Sequence, residues 1–294
     1  MQLGISGQLL GEVKELDKIL SLLRRFKIKA IEIWPGNIPR QGSEVKYQDG
    51  RYEGRSLAKA GKLLESYAIR VACVTQPGAF RQDFANNKKA YVDALCHTID
   101  VAGELGAKYV NHYAYYFTLN NRDNIDDFVS MLAPAVRYAE DKNIVMLLEN
   151  EAHDATRTPE GMLNIIKKVG SRHFQTNFDA VNYYHASQEG FPYAYELLKE
   201  YIAYVHLKNG CIYNPLRGHL EEHKGHPFTG GHAPHNIYYP YIYAGAVNVE
   251  GLLLRLQDDH YPGYCMLEPH TTPGYAEEYY AKEIDYLRKN GFFA

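Results

Sequence analysis

Apolar residues recur along the chain in two alternating patterns. Short, nearly unbroken apolar runs read as strands buried on both faces. The longer segments between them, with apolar residues every three or four positions, read as helices with one buried stripe. Residues 144–148 are the clearest run, five apolar residues without a polar break, followed by Glu149 and Asn150. Shorter or more broken strand-like runs occupy residues 3–6, 30–34, 70–75, 108–113, 174–178, 203–205 and 264–267.

The helical pattern covers residues 16–26, 56–67, 88–105, 126–142, 159–169, 193–201, 249–256 and 275–289. Ser56 is a candidate N-cap for the second of these, and Thr158 followed by Pro159 opens the fifth. Gly106, Gly170 and Gly291 stand where helices would stop. Eight strands thus alternate with eight helices, at a spacing of about 30 residues per unit. That rhythm in 294 residues predicts an α/β fold, a (β/α)8 TIM barrel forming a single domain over residues 1–294. A doubly wound open sheet is the alternative, but Gly4-Ile5-Ser6-Gly7 is not a dinucleotide fingerprint and no Walker A pattern occurs.

One stretch breaks the rhythm. Residues 210–246 follow the seventh strand and form a long insertion containing His219, His223, His226, His232 and His235 and a tyrosine-rich run, Tyr238 to Tyr243. Loops this long in a compact domain usually carry function. A lid over a substrate is the first reading and a subunit interface, hence a homo-oligomer, the second. A second metal site, from the i,i+4 pair His219 and His223, is the third.

Composition removes several function classes. The formal net charge is −3, without the Lys/Arg stripe of a nucleic-acid binder. No stretch approaches the ~20 apolar residues of a membrane helix. The start of the chain shows no charged segment leading into an apolar run, so no signal peptide is expected. The four cysteines are scattered without a CxxC pair. They read as reduced thiols, and the expected location is cytoplasmic.

Four of the apolar runs end on residues able to bind a metal: Glu149, Asp179, His206 and Glu268, from strands five to eight. In parallel α/β folds, chemistry gathers at the carboxyl ends of the strands. Three carboxylates at one point would repel unless a cation neutralised them. A mostly oxygen set suits one divalent metal, Mn²⁺ first, with Mg²⁺, Co²⁺ or Zn²⁺ as alternatives. Other candidates flank these positions. Trp34 could stack on the face of a substrate, and His112 could hydrogen-bond a substrate oxygen. Lys208 follows His206 by two residues and shares its side of the strand, where it could hold an oxyanion. His270 follows Glu268 in the same way.

The phrases Leu148-Glu149-Asn150, Phe178-Asp179-Ala180-Val181-Asn182, Val205-His206-Leu207-Lys208-Asn209 and Leu267-Glu268-Pro269-His270 resemble the xylose isomerase-like TIM-barrel superfamily, the sugar isomerase/epimerase group. The resemblance implies that Glu149, Asp179, His206 and Glu268 bind one divalent metal. It further implies that Glu149 and Glu268 exchange protons with a small sugar or polyol-derived substrate through an enediolate. Many members carry His three residues after the sixth-strand Asp. This chain has Asn182, which can hydrogen-bond a hydroxyl but cannot titrate. The epimerases place an Arg soon after the seventh-strand His, for which Arg217 is the nearest candidate. The same site with an added acid, from His112, His270 or the insertion, would serve a keto-sugar or ketoinositol dehydratase. A non-catalytic sugar-binding barrel is the third reading. A complete ligand set argues against it.

Overall fold

The apolar runs form parallel strands in the computed structural model of the chain. It describes residues 1–8, 15–38, 51–77, 87–118, 124–213, 227–228, 236–268, 270–271 and 274–293. The strands in chain order are β1 (Gln2–Ser6), β2 (Ala30–Ile33), β3 (Arg70–Thr75), β4 (Tyr109–His112), β5 (Val145–Glu149), β6 (Phe174–Asp179) and β7 (Ile202–Leu207). A small antiparallel sheet follows, made of β8 (Cys211–Ile212), β9 (Pro227–Phe228) and β10 (Ile237–Tyr238), and β11 (Tyr264–Leu267) comes last. Among the described residues, β1 to β7 and β11 close into a parallel barrel in the order β1-β11-β7-β6-β5-β4-β3-β2. This is the expected (β/α)8 architecture, and the open-sheet alternative falls with the pairing of β1 to both β2 and β11.

Helices cover the barrel on the outside. In Ile125–Lys142, Phe128, Leu132, Val136 and Ala139 lie on the buried stripe. Each fully buried Leu or Phe contributes about 1.5–3 kcal/mol relative to exposure. Thr158 caps Pro159–Val169 by accepting from the Gly161 amide, and Gly170 ends that helix at φ +66°, a left-handed conformation that suits glycine. Two sequence expectations are corrected. The second helix starts earlier, as Gly54–Tyr67 with Glu53 at the N-cap position. Ser56 is not the cap, because its hydroxyl donates to the Glu53 carboxylate at 2.9 Å. The expected helix 193–201 is broken. Phe191 is extended within Gly190–Ala194, only Tyr195–Leu198 is α-helical, and Lys199–Tyr201 is a 3-10 turn running straight into β7.

Inside the barrel, the amino-terminal half is apolar. Ala30, Ala72, Tyr109, Leu147, Tyr204 and Met266 pack there, with the Tyr109 and Tyr204 rings 5.6 Å apart. A side chain at Gly4 would collide with Met266, whose sulfur would lie 2.4 Å from a Cβ, so glycine leaves the room that Met266 fills. This plug floors the polar half above it. The four cysteines are free thiols.

The insertion is tied down at its ends by Asn209. Its amide nitrogen donates to the Ile242 and Val247 carbonyls, and its amide oxygen accepts from the Gly210 and Val247 amides. His219, His223, His226, His232, His235 and Arg217 lie outside the described residues.

Candidate metal centre

Strand alternation sends every second side chain into the barrel, and at the carboxyl ends these side chains are polar. The register pairs Thr75 with Asn111, Glu149 with Asn177, and Asp179 with His206. Glu149, Asp179, His206 and Glu268 are all buried, and each offers a ligand atom within 4.8 Å of the others. One oxygen from each carboxylate and one imidazole nitrogen form a donor set that could hold a divalent metal ion.

Each member of the set is fixed by its neighbours. Glu149 Oε2 accepts from Asn111 Nδ2 at 2.8 Å, Tyr113 OH at 2.6 Å and Asn177 Nδ2 at 3.2 Å. Its other oxygen lies 3.1 Å from His206 Nδ1. Glu268 Oε2 lies 3.2 Å from the same nitrogen and 2.8 Å from Lys208 Nζ. Among the described residues, Glu268 Oε1 meets only the Ser6 hydroxyl, at 3.4 Å. Asp179 Oδ2 pairs with Lys208 Nζ at 2.6 Å. Asp179 Oδ1 accepts the Val181 and Asn182 amides, so this residue also caps the short helix that follows β6. Asn150 clamps the Asp179 backbone through both its amide and its carbonyl, each at 2.8 Å.

The electrostatics follow from burial and charge. Burial works against the His206 cation, but Glu149, Glu268 and Glu32 outweigh it and hold the imidazole well above its ordinary pKa. Burial likewise opposes the Lys208 ammonium, and Asp179 and Glu268 keep it charged. Glu268 would be raised by burial alone, yet His206 and Lys208 bring it below the usual carboxylate range. Glu151, just beyond the end of β5 and half-buried, is pushed up by burial and by the Glu149 charge.

The other residues singled out from the sequence are placed as follows. Trp34 ends the β2 run with its ring centroid 6.3 Å from that of Tyr113. Its indole nitrogen is buried without a partner among the described residues. Lys208 is part of the cluster. Asn182 lies beside it and donates to the Asn150 carbonyl at 2.9 Å. His270 stacks on Tyr239 of the insertion at 4.2 Å, and the Lys208 ammonium lies 5.9 Å from the same Tyr239 ring. His112 is corrected: it does not join the cluster. It faces the strand–helix layer, where Nδ1 meets Tyr91 OH at 3.0 Å and the ring packs near Phe174. Burial pushes its pKa down to about 3, as expected of a neutral structural histidine.

Sequence reading missed Glu32, Asn111, Tyr113 and Asn177. The signal was present in the parity. Asn111 and Tyr113 flank His112 and alternate with it, and Glu32 shares the parity of Trp34. A carboxylate inside the apolar run Ala30–Ile33 is itself an anomaly that calls for a buried partner.

A family description, the xylose isomerase-like TIM barrel, matches residues 15–290. Three solved structures share the fold. D-allulose 3-epimerase from Methylomonas sp., solved with D-allulose, is 16% identical, with 98% of this chain and 96% of that chain covered at a TM-score of 0.70. The probable 3-DHS dehydratase AsbF of Bacillus anthracis is 14% identical, with 98% and 99% covered at 0.66. The IolI protein, solved with a zinc atom, is 15% identical, with 98% and 96% covered at 0.68. At these identities the likeness is one of fold. No curated protein sequence matches the chain.

Proposed function

Since this chain belongs to the xylose isomerase-like TIM-barrel family, we propose that it is a divalent-metal-dependent sugar isomerase or epimerase working through an enediolate, with Glu149 and Glu268 as acid and base. The observation that carries the reading is the buried set of Glu149, Asp179, His206 and Glu268, with ligand atoms within 4.8 Å of one another. We assign these four as the ligands of one ion, Mn²⁺ in preference to Mg²⁺, Co²⁺ or Zn²⁺. The mostly oxygen donor set fits a hard cation. When bound, the ion would stabilise negative charge on adjacent substrate oxygens.

The chain's own groups supply the rest. Glu149 and Glu268 come from β5 and from the end of β11, strands three places apart around the barrel. From there the two carboxylates approach a substrate carbon from different directions and can remove and return its proton. Lys208 lies over the set with its ammonium between Asp179 and Glu268, where it would favour an oxyanion. Trp34, whose indole N–H has no partner among the described residues, and the stacked pair Tyr239 and His270 are assigned to substrate contact. Asn182 acts one step back, holding the Asn150 carbonyl. The insertion 210–246 serves as a lid that brings Tyr239 to the site. The substrate is a small sugar or polyol-derived carbonyl compound.

One observation favours a dehydratase as the second reading. Glu149 Oε2 accepts three hydrogen bonds that hold it in place, whereas Glu268 Oε1 has, among the described residues, a single long contact. One carboxylate held at three points and one with a less constrained oxygen suit an asymmetric pair of roles, proton removal by one followed by loss of a leaving group.

Proton exchange tests both readings. The Mn²⁺-loaded protein is incubated in D₂O with ketoses, aldoses and keto-inositols, with Glu149→Gln and Glu268→Gln as controls. Deuterium at one carbon of an intact sugar supports isomerisation or epimerisation. Deuterium with new olefinic or deoxy-keto signals supports the dehydratase. A metal-loaded protein that exchanges no proton with any of them refutes both.

A further inference from the structure

His206 has two ring nitrogens, and the barrel gives them different company. Nδ1 faces the cluster, 3.1 Å from Glu149 Oε1 and 3.2 Å from Glu268 Oε2. Nε2 faces away from it, 2.7 Å from Oε2 of Glu32. Glu32 is fully buried on β2, three places from β7 around the barrel, and it is not one of the four ligand residues. Its second oxygen accepts from the Thr75 hydroxyl at 2.8 Å, which fixes the oxygen that turns toward the imidazole. Asn177 Nδ2 also lies 3.1 Å from His206 Nε2. A carboxylate at 2.7 Å is both the closer and the stronger partner for a ring N–H, and the Asn177 amide has Glu149 to donate to.

We infer that Glu32 is the positioning residue for His206: by accepting the Nε2 proton it sets the ring so that Nδ1 is the nitrogen offered to the ion. The inference rests on the metal reading of the cluster. Its physical basis is general. A carboxylate on the second N–H of a ligating imidazole fixes the tautomer and the ring plane and makes the ligating nitrogen more basic. Glu32 does this from a fully buried position on β2.

Mn²⁺ titration of the purified protein, followed by electron paramagnetic resonance, reads the affinity directly. Glu32→Leu is expected to raise the Mn²⁺ Kd by about 10–100-fold. Thr75→Val keeps the carboxylate but frees it to turn, and a smaller rise is expected, by a few-fold. Circular dichroism and thermal unfolding confirm that each variant is folded. The wild-type protein supplies a readout independent of any variant. When it is loaded with Mg²⁺, proton–nitrogen NMR of its histidines should show a slowly exchanging His206 Nε2–H and no Nδ1–H. An unchanged Kd in folded Glu32→Leu, or a proton on Nδ1 in the loaded wild type, overturns the inference and leaves the metal reading standing. A wild-type protein that takes up no Mn²⁺ overturns both, and does so before any substitution is made.

Discussion

Glu283 offers a test in which sign and size both follow from the structure. It lies in the helix Ala276–Lys289 and is buried. Oε1 accepts the Ile242 amide at 2.8 Å, which pins the returning end of the insertion to the barrel's last helix. Oε2 has no partner among the described residues. Burial raises its pKa from 4.5 to about 8, only partly offset by the Ile242 hydrogen bond. The folded chain therefore holds a proton that the unfolded chain releases above its ordinary pKa. The stability this gives is fully present below pH 4.5 and is lost as the pH rises to about 8, at about 1.4 kcal/mol per pH unit. Across the window the loss is on the order of 4–5 kcal/mol, an upper bound because buried groups relax. Glu283→Gln keeps an oxygen for the Ile242 amide and cannot ionise. Its NH₂ adds an unsatisfied donor, at a cost of about 1 kcal/mol. The variant should match the wild type within about 1 kcal/mol at pH 5 and exceed it by about 2–4 kcal/mol at pH 8. Urea unfolding of both proteins from pH 5 to 8.5 measures this, and the difference between the two curves cancels every other titrating group. A constant difference across the range, or a less stable variant at pH 8, would show that Glu283 ionises without penalty and that the reasoning is wrong.

Three further predictions concern the site. Tyr113→Phe removes the 2.6 Å bond to Glu149. A hydrogen bond to a charged group is worth about 1.5–3 kcal/mol, so stability should fall by up to that amount and turnover by roughly 10–100-fold as Glu149 loses its orientation, read from a melting curve beside kcat. His112→Leu should leave turnover and Mn²⁺ affinity within a few-fold of wild type while lowering stability by about 1 kcal/mol, the net worth of the lost Tyr91 bond; a collapse of kcat in a folded variant would return His112 to the site. Chelation should abolish solvent proton exchange and Mn²⁺ should restore it, while the circular dichroism spectrum stays that of a folded barrel. Exchange that persists after exhaustive chelation would remove the metal from the chemistry.

The barrel was legible because its strands are buried on both faces. Runs such as Val145–Glu149 and Arg70–Thr75 announce themselves by length and continuity. Helix ends were legible where a single residue dictates them, as Thr158 and Gly170 do. They were not legible where tertiary packing decides, as at Ser56 and in the broken segment after Gly190. The four strand-end residues could be read because each ends an apolar run. The layer behind them could not, because whether Asn111 or His112 faces inward depends on the register of β4 against its neighbours, and shifting a strand by one residue exchanges its faces. An inward carboxylate such as Glu32 also has no local signature of its partner, because His206 lies 174 residues away.

The burial of these groups bears on the site as a whole. Four carboxylates, those of Glu32, Glu149, Asp179 and Glu268, are nearly excluded from solvent in one half of the barrel. Among the described residues, two cationic groups touch them, the Lys208 ammonium and the His206 imidazolium. An uncompensated charge in such surroundings costs several kcal/mol, so a cluster short of two positive charges is poorly balanced by the chain alone. The hydrogen bonds from Asn111, Tyr113, Asn177, Thr75 and Ser6 spread that charge but add none of the opposite sign. His206 must also give up its proton before it can ligate a metal, which leaves Lys208 as the chain's one fixed cation in contact with the set. Counted as fully ionised, the four carboxylates exceed Lys208 and a protonated His206 by two charges, the size and sign that a divalent cation supplies; burial eases the excess by raising the Glu32 and Asp179 carboxyls. Buried negative charge of this kind is what the proposed metal reading accounts for, since the same cluster could hold a divalent cation.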